Sequence, residues 1–525
     1  MKSHSASPHF GCESRRSEMA MIPHTIETSI PRAAHCGPLR CLALAATVLT
    51  LTVLATSTFR GQEKTTPLSK VERLNRAPVN KEVLRVQLPR PMVAKLPNGL
   101  TLLLLEDHKL PTVTFIMWIR PGQLADPSDL PGLASFTADM LREGTERRSS
   151  FAIAGEADSL GATLGANARF GASYTVVNAA GLVDSAPQLL DLLSDIVLRP
   201  AFPPAEVARY KQREIAVLEQ RLANPVFLGQ RAFRQVLYGD GPLAMASPTR
   251  DSIARVTPED LKRFHAQHYR PGNTILGAIG DFKTGDMRGL IEKYFAAWSG
   301  ASEPPISLAT KRGEPEPTRI TLVDRPGSVQ TYIIGGTRGI RRTDPEYYGL
   351  QVMNQILGGG PQARLFLDLR EEHGYTYGAY SNFNAEIYPG DWLAAAAVRT
   401  PVTDGSMTQL VYQFKRMSSE PAPQSELDDA RHSIVASFAL SLEQPARLLD
   451  NWMTVQYYGL PADYWDQYAD RIAGVDTAAV QAAARKFVDL AHMQWICVGD
   501  RRQIQETLAK YGPVTVVDAE GKAEK

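Results

Sequence analysis

Apolar and polar positions along the chain follow two patterns, one typical of strands and one of helices. Short apolar runs at residues 100–105, 112–120 and 274–281 predict buried strands, and the Asn98-Gly99 pair before the first run favours a hairpin turn. Longer stretches repeat their apolar residues at intervals of three and four, which predicts amphipathic helices. These predicted helices cover residues 150–160, 183–198, 203–222, 252–268, 346–357, 425–445 and 476–487.

The pattern of the first part of the chain recurs in the second part. An apolar run that ends in Gly-Asp and precedes a helix occurs at residues 274–281 and again at residues 493–500. Residues 299–317 are rich in proline and separate the two parts as a linker would. We therefore predict an α+β fold of two homologous halves, each of which mixes strands and helices.

The same patterns divide the chain into segments. The predicted segments are residues 1–60 as a signal peptide or N-terminal anchor, 61–90 as a linker, 91–300 as an N-terminal domain, 301–317 as a second linker, 318–515 as a C-terminal domain and 516–525 as a frayed, charged tail. With 525 residues, the chain is long enough for two domains that each bury a sizeable core.

The N-terminal segment carries the features of an export signal. Arg32 and Arg40 precede an apolar run at residues 41–54, and the small residues 55–57 follow it as a cleavage site would. The run is short for a membrane span, although it also fits an uncleaved N-terminal anchor. We expect an exported protein, periplasmic or extracellular, with membrane anchoring through this segment as the alternative.

Charge and cysteine content exclude several kinds of partner and site. The formal net charge is +1, so nothing indicates a nucleic acid as partner. Three of the four cysteines, Cys12, Cys36 and Cys41, lie at or before the start of the apolar run. Because Cys497 is then the only cysteine of the exported chain, we expect neither an internal disulfide nor a cysteine-based metal site.

Residues 131–145 predict a short helix that stops near Gly144. Ser135, Ala138 and Asp139 share one face of this helix because they are spaced i, i+3 and i+4. In a zinc peptidase with the inverted motif H-x-x-E-H, these three positions hold His, Glu and His. The helix therefore has the spacing of a metal site without its chemical groups.

An ordered set of segments resembles the pitrilysin/insulinase family of zinc peptidases, in its bacterial branch similar to the mitochondrial processing peptidase. The segments are Leu96-Pro97-Asn98-Gly99-Leu100, Gly132-Leu133-Ala134, Met140-Leu141, Gly144-Thr145, residues 268–273, Gly280-Asp281, Gly358-Gly359-Gly360 and residues 364–377. The resemblance covers nearly everything from about residue 90 to 515. It implies two homologous halves, each a mostly antiparallel sheet flanked by helices, and a dimer of such units around a chamber.

The same resemblance aligns the zinc ligands with residues that cannot replace them. The first His, the general-base Glu and the second His fall on Ser135, Ala138 and Asp139, and the third ligand falls on Gln220 or, in the other alignment, on Glu219. Catalytic zinc needs three protein ligands, and one carboxylate does not supply them. Without a base, the attacking water is not activated. We therefore expect this chain to bind no zinc and to be inactive alone, with the zinc in a partner subunit.

A second family motif is intact. The family's Arg and Tyr, seven residues apart, match Arg370 and Tyr377, and in the resemblance they reach into a zinc-bearing site and hold the substrate. Tyr375 is a poorer match because its offset from Arg370 differs. Spacing alone favours an arginine paired with Glu371 or Glu372 and a tyrosine packed in the sheet, whereas the ordered resemblance favours the functional role.

Two further motifs also have ordinary structural interpretations. Gly358, Gly359 and Gly360 lack the following Lys-Ser/Thr of a nucleotide site and fit a turn between helices. In the resemblance they correspond to a short form of the glycine-rich substrate loop of the non-catalytic processing subunit. His265 and His268, at i and i+3, fit histidines near a helix end better than a pair of metal ligands.

Together these features predict a non-catalytic subunit of an exported heterodimeric zinc metallopeptidase. Its partner would be a catalytic chain with an intact H-x-x-E-H motif, and this chain would bind and orient peptide and supply Arg370 and Tyr377 to that zinc site. Two alternatives remain open. One is a peptidase-fold binding or scaffold protein without a role in proteolysis, and the other is a self-sufficient metallopeptidase with unrecognised ligands.

Overall fold

Each half of the chain is built on its own six-stranded sheet. A computed structural model describes residues 84–300, 302 and 316–523. The predicted signal segment, residues 1–60, lies outside the described residues with its three cysteines, as does nearly all of the 301–317 linker. The predictions that concern these segments therefore remain predictions.

The first sheet uses strands of the first half alone. Within residues 84–300 the strands are β1 (Met92–Lys95), β2 (Thr101–Glu106), β3 (Thr112–Ile119), β4 (Thr163–Asn167), β5 (Thr175–Leu182) and β6 (Thr274–Gly280). Their order across the sheet is β1-β2-β6-β3-β5-β4. Strands β2 and β6 run parallel, and the other neighbouring pairs are antiparallel. The predicted hairpin turn joins β1 to β2, and Gly99 adopts a φ of 97° there, a conformation that favours glycine.

The second sheet repeats this topology. Within residues 316–523 its strands are β7 (Arg319–Asp324), β8 (Gln330–Arg338), β9 (Thr376–Asn384), β10 (Asp391–Arg399), β11 (Gln494–Gly499) and β12 (Val514–Val517). The order is β12-β7-β11-β8-β10-β9, so five neighbouring strands match the order and directions of β2-β6-β3-β5-β4. The predicted fold class, α+β with two homologous and mostly antiparallel halves, is therefore confirmed.

The first half contributes helices mainly to one face of its own sheet. Among its described residues these are α1 (Leu133–Met140), α2 (Ser150–Ser159), α3 (Ala186–Leu198), α4 (Pro204–Leu222), α5 (Pro225–Tyr238), α6 (Arg250–Arg255), α7 (Pro258–His268) and α8 (Thr284–Phe295). The single helix predicted over 252–268 is wrong, because the chain leaves the helical conformation at Val256. Thr257 then caps α7 by accepting a hydrogen bond from the Asp260 amide at 3.2 Å, and Pro258 begins a new helix rather than continuing one.

The second half has the corresponding set of helices. Among its described residues these are α9 (Tyr347–Gly358), α10 (Arg364–Phe366, continued by the π-helical turn Leu367–Glu372), α11 (Thr403–Ser419), α12 (Gln424–Ser441), α13 (Pro445–Tyr458), α14 (Tyr468–Ala473), α15 (Thr477–Phe487) and α16 (Arg501–Leu508). Short 3-10 turns connect some elements, at Gly122–Ala125, Val183–Ser185, Pro242–Ala244, Pro271–Asn273 and Thr400–Val402. In the described part of the chain, every helix is too short or too polar to cross a membrane.

Each half also places one helix on the sheet of the other half. Helix α5 of the first half packs on β8 and β11, where Leu228 and Phe233 share a core with Ile496. Helix α13 of the second half packs on β2 and β6, where Leu449 shares a core with Ile279. Both sheets are therefore covered on two faces, and each depends on the other half for one of them.

The N-terminal strap, residues 84–90, packs against helices of the second half. Leu88 is buried in the core that contains α13, and the Trp452 indole donates a hydrogen bond to the Pro89 carbonyl oxygen at 2.9 Å. Residues 84–90, the last part of the segment interpreted as a linker or an extended arm, are thus held against helices of the second half.

The C-terminal segment is ordered by pairing as well. Strand β12 lies at the edge of the second sheet, and the chain then folds back with an Asp518 amide hydrogen bond to the Lys522 carbonyl oxygen at 2.9 Å. Arg231 of α5 donates to the Ala519 carbonyl oxygen at 3.2 Å. The described residues of the predicted tail, up to residue 523, thus make hydrogen bonds to each other and to α5.

Candidate functional site

Helix α1 begins at a carboxylate that precedes it by several residues. Asp126 accepts hydrogen bonds from the main-chain amides of Gly132 at 2.6 Å and Ala134 at 2.7 Å, which satisfies two of the free N–H groups at the helix start. Gly132 has a φ of 96°, and a Cβ there would lie 2.8 Å from the Pro248 side chain. Local conformation and packing therefore fix where the helix starts.

The three degenerate zinc-site positions lie on α1 at the predicted spacing. Ala138 is fully buried, whereas Ser135 and Asp139 are half-buried. Asp139 accepts a hydrogen bond from the Tyr210 hydroxyl at 2.5 Å, and the Tyr210 ring packs on Phe136 with 4.2 Å between centroids. The one carboxylate among these positions is thus bound by a tyrosine of α4.

The acidic residue of α4 that faces this site is Glu214. It lines a small cavity of about 10 Å³ together with Ser135 and Tyr210, a space on the order of one water molecule. Gln220 is exposed and lies six residues beyond Glu214, which turns its side chain by about 120° around the helix axis. The sequence alignment with Gln220 missed Glu214, although the Tyr210–Glu214 spacing of one helical turn would have indicated it.

Glu219, the residue of the alternative alignment, does not lie on this face of α4 either. The Glu219 carboxylate pairs with Arg250 at 2.8 Å and is exposed. The Glu214 carboxylate instead lies 3.7 Å from the Arg221 guanidinium. The positive charge of Arg221 therefore acts on the carboxylate that lines the cavity. Of Glu214, Glu219 and Gln220, only Glu214 lines the cavity beside Ser135.

Electrostatics at this site disfavour a bound cation. Burial raises the pKa of Asp139 and of Glu214, and the guanidinium groups of Arg213 and Arg221 counteract that rise. The donor set is two carboxyl groups and the Ser135 hydroxyl, without an imidazole, and it is already surrounded by arginines. This set does not fit the three-ligand arrangement of a catalytic zinc ion.

The predicted Arg–Tyr pair lies in the second half of the chain, between α10 and β9. Arg370 donates a hydrogen bond from Nη1 to the Tyr377 main-chain carbonyl oxygen at 3.0 Å. Its guanidinium lies 4.9 Å from the Phe366 ring centre, and its Nε is 3.5 Å from a Glu371 carboxylate oxygen. These contacts are all within the second half, so the pair and the α1 positions are built separately.

Both members of the pair are open to solvent. The Arg370 side chain is 46% exposed, and Tyr377 is 87% exposed. Tyr375, the alternative candidate, is half-buried and packs against Gly405 of α11, where an added Cβ would lie 2.8 Å from its hydroxyl. Of the two tyrosines, only Tyr377 is free to contact another molecule.

Gly358, the first of the three consecutive glycines, allows close packing of α9 on β9. Gly358 is the last residue of α9 and is buried against β9, where an added Cβ would lie 2.3 Å from the Ser381 amide nitrogen. A Cβ on Gly359 would lie 2.6 Å from Gln355 Cα, whereas Gly360 has open space around it. The first glycine therefore serves close helix–strand contact, and only Gly360 is unconstrained by neighbours.

A groove of about 500 Å³ lies beside β9. Its floor is the small side chains of Ala395 and Ala397 on β10, and helix α5 of the first half forms one wall. Its hydrogen-bonding side chains are Gln230, Arg234, Tyr332, Tyr380, Asn382, Asn384 and Asp391. The groove combines hydrogen-bonding groups with an apolar floor, which is the character of a site for a peptide segment.

The two candidate histidines of α7 pack inside the first half. His265 lies 2.7 Å from the Val197 carbonyl oxygen through Nε2, and burial lowers its pKa to about 4. The His268 ring packs on Phe264 with 4.5 Å between centroids. Their surroundings are those of helix-packing residues, in agreement with the structural interpretation of the pair.

Two family models match the chain in the regions that carry these sites. A model described as "Insulinase (Peptidase family M16)" matches residues 101–237, which contain α1 and Glu214. A model described as "Peptidase M16 inactive domain" matches residues 255–434, which contain Arg370 and Tyr377.

Several proteins are similar to the chain over most of its length. A zinc protease of Streptomyces coelicolor, described as uncharacterized, is 25% identical over 398 residues, which is 74% of this chain and 85% of that protein. A similarly described zinc protease of Bacillus subtilis is 23% identical and covers 66% of this chain and 83% of its own length. The probable mitochondrial-processing peptidase subunit beta of Arabidopsis thaliana is 23% identical over 76% of each chain.

Solved structures agree with these matches. A peptidase M16 inactive domain from Pseudomonas fluorescens superposes with a TM-score of 0.72 at 27% identity and covers 78% of this chain and 98% of that one. A protease from Helicobacter pylori has a TM-score of 0.71 at 16% identity, over 78% of this chain and 100% of that one, and so shows the shared fold. From the repeated sheets, the α1 positions and these matches, the chain belongs to the pitrilysin/insulinase (M16) family of peptidases.

Proposed function

We propose that this chain is a non-catalytic subunit of an exported heterodimeric zinc metallopeptidase. One observation carries the proposal: the chain holds Arg370 and Tyr377 together and open to solvent, whereas its own zinc-site positions lack the ligands. A protein that only kept the fold would have no need for the pair. A self-sufficient peptidase would need the ligands.

The two side chains suit transition-state binding in a partner's site. Arg370 keeps its positive charge at any working pH and can bind peptide carbonyl groups. The Tyr377 hydroxyl can donate a hydrogen bond to the oxyanion that forms when water attacks the peptide carbonyl. The hydrogen bond from Arg370 to the Tyr377 main-chain carbonyl oxygen, at 3.0 Å, attaches the Arg370 side chain to the strand that carries Tyr377 before substrate arrives.

Peptide would be bound in extended form next to this pair. Strand β9 lies at the edge of the second sheet and carries Tyr377, so its outer main-chain groups can pair with an added strand. The groove beside β9 would take side chains of that peptide. The glycines Gly359 and Gly360 lie at the turn after α9 and would act as the short substrate loop.

The partner would be a catalytic chain with an intact H-x-x-E-H motif. This inference is supported by the names of two relatives, a mitochondrial-processing peptidase subunit and a zinc protease. Zinc would be held by the partner, and export would follow from the signal pattern in residues 1–60.

The test measures metal content and cleavage of an unstructured peptide for this chain alone and for its complex with an H-x-x-E-H chain. We expect turnover, and zinc held by an H-x-x-E-H motif, in the complex only. Arg370→Ala and Tyr377→Phe should each lower kcat of the complex by roughly 100-fold while the complex still forms, since each removes a transition-state contact.

A second arginine–tyrosine pair on the surface provides the matched control. Arg416 lies 5.6 Å from the ring centre of Tyr412 on α11, so Arg416→Ala and Tyr412→Phe make the same chemical changes and should leave kcat unchanged. Zinc-dependent turnover by this chain alone would establish the self-sufficient alternative. A complex with full turnover in both test variants, or no peptidase partner at all, would leave the binding-protein alternative.

A further inference from the structure

The π-helical turn around Arg370 gathers three ionisable side chains that the proposed function does not use. Asp368, Glu372 and His373 each place one carboxylate oxygen or ring nitrogen within 4.8 Å of the others. In an ordinary α-helix, residues five apart point about 140° away from each other. The wider turn, closed by a His373 amide hydrogen bond to the Asp368 carbonyl oxygen at 3.1 Å, brings Asp368 and His373 to one side. Such turns are frequent at functional sites.

A buried amide next to this cluster has an unused oxygen. Gln413 of α11 is 5% exposed and donates from Nε2 to Asp368 Oδ2 at 2.5 Å. Its Oε1 atom is buried without a hydrogen-bond donor. A buried acceptor that receives nothing is costly, and such atoms are rare in folded proteins.

The Asp368 carboxylate is in a similar situation. Its side chain is 6% exposed, and Oδ1 lies 2.8 Å from His373 Nδ1. That nitrogen, however, also lies 3.1 Å from the Asp368 main-chain carbonyl oxygen, with hydrogen-bond geometry, so Oδ1 receives no aligned hydrogen bond. A hydrogen bond weakens steeply when it is misaligned, so the short ion-pair distance does not by itself satisfy Oδ1.

Two carboxylates lie close together in this cluster, and that of Asp368 is buried. A positive ion between the two carboxylates would offset both the burial and the repulsion.

We propose that Asp368, Glu372 and His373 bind a divalent transition-metal ion, with the Gln413 amide oxygen as a further ligand. The set combines two carboxylates, one imidazole and one amide oxygen. Mixed nitrogen and oxygen ligands suit Zn²⁺, Mn²⁺ or Co²⁺, whereas Ca²⁺ and Mg²⁺ prefer oxygen alone. The ion would have a positioning role, because it would fix the turn that carries Arg370. This site is distinct from the α1 positions and does not depend on the proposed partner.

The test titrates the chelator-treated full-length chain with Zn²⁺ by calorimetry and with Co²⁺ by visible absorption. We expect one ion per chain, and a Zn²⁺ affinity that falls at least tenfold in Glu372→Gln and in His373→Gln. Glu372 is exposed, so its variant should fold normally, which the thermal unfolding of the metal-free proteins checks. His492→Gln is the matched control, since His492 pairs with Asp489 at 2.5 Å without belonging to a three-group cluster of the described residues.

A second readout separates a bound ion from a general change in stability. Zn²⁺ should slow hydrogen exchange of the amides of residues 368–375 at least tenfold in the wild type and not in His373→Gln. The proposal is wrong if the wild-type chain takes up no Zn²⁺ or Co²⁺. It is also wrong if His373→Gln and His492→Gln lower the Zn²⁺ affinity equally, because the binding is then not at this cluster.

Discussion

At the scale of single residues, the start of α1 depends on the carboxyl group of Asp126. It accepts hydrogen bonds from two amides of the helix N-terminus, yet it lies inside the protein, and burial raises its pKa to about 7. The hydrogen bonds favour the ionised form and burial favours the neutral form, and burial has the larger effect. The helix that carries the degenerate zinc-site positions therefore begins at a group that titrates near neutral pH.

This residue makes the stability of the protein depend on pH. An unfolded aspartate has a pKa of about 3.9, so between about pH 4 and pH 7 the folded chain holds a proton that the unfolded chain has released. The free energy of unfolding should therefore fall as pH rises through this window, by up to about 1.4 kcal/mol per pH unit, and level off above it. In urea unfolding measurements, Asp126→Asn should show a shallower fall than the wild type. Parallel curves for the two proteins would contradict the assignment.

The sequence predicts residue positions well where the helical spacing is local. The face formed by Ser135, Ala138 and Asp139 follows from the residues themselves, and the structure places all three on α1. Glu214 lies far along the chain, and its approach to Asp139 depends on how α4 packs on α1. An alignment counted along the chain cannot supply that packing, and it points to Gln220 or Glu219, which are both exposed.

At the scale of single elements, the end of α9 is shaped by the strand beneath it. Gly358 lets the helix approach β9 so closely that an added Cβ would lie 2.3 Å from the Ser381 amide nitrogen. Asn354, one turn earlier, donates a hydrogen bond to the Ser381 carbonyl oxygen at 3.2 Å. Helix and strand thus meet through main-chain atoms, and the strand in question is the one that carries Tyr377.

Alanine substitution in the glycine run should therefore lower the free energy of unfolding much more at Gly358 than at Gly360. Gly358→Ala places a methyl group against main-chain atoms that cannot rotate away, so we expect a loss of roughly 1–3 kcal/mol or more in the free energy of unfolding. Gly360→Ala meets open space and should change that free energy by less than about 0.5 kcal/mol. Chemical denaturation of both variants makes the comparison. Equal effects would mean that the run is a flexible turn throughout.

The sequence predicts a strand or helix correctly where a single pattern dominates its segment. The Asn98-Gly99 turn and the buried runs that end in Gly-Asp gave β1, β2, β6 and β11 nearly to the residue. The break between α6 and α7 was missed because the apolar spacing continues across Pro258. The sequence does not predict β10, because its run of alanines carries little strand preference and its pairing with β8 and β9 defines it.

At the scale of the whole molecule, the two halves are joined by an exchange of helices. The Phe233 side chain on α5 of the first half lies over Gly336 in the second sheet, where an added Cβ would be 2.6 Å from its ring. In the other half, Leu449 on α13 lies over Gly277 of β6, where an added Cβ would be 2.8 Å away. Each sheet thus has a glycine at the point where the helix of the other half places a large apolar side chain. No amphipathic pattern predicts this arrangement, because a helix face does not state which sheet covers it.

The exchange predicts that neither half is stable without the other. Phe233→Ala changes the first half of the chain but opens a cavity on the second sheet, and it should lower the free energy of unfolding by about 3–5 kcal/mol. Hydrogen exchange should then accelerate in β8 and β11 of the second half as much as in the first. Phe151→Ala is the control, because Phe151 is 87% exposed and its removal should cost less than about 0.5 kcal/mol. Two separate unfolding transitions, with only the first-half transition shifted by Phe233→Ala, would show that the halves fold independently.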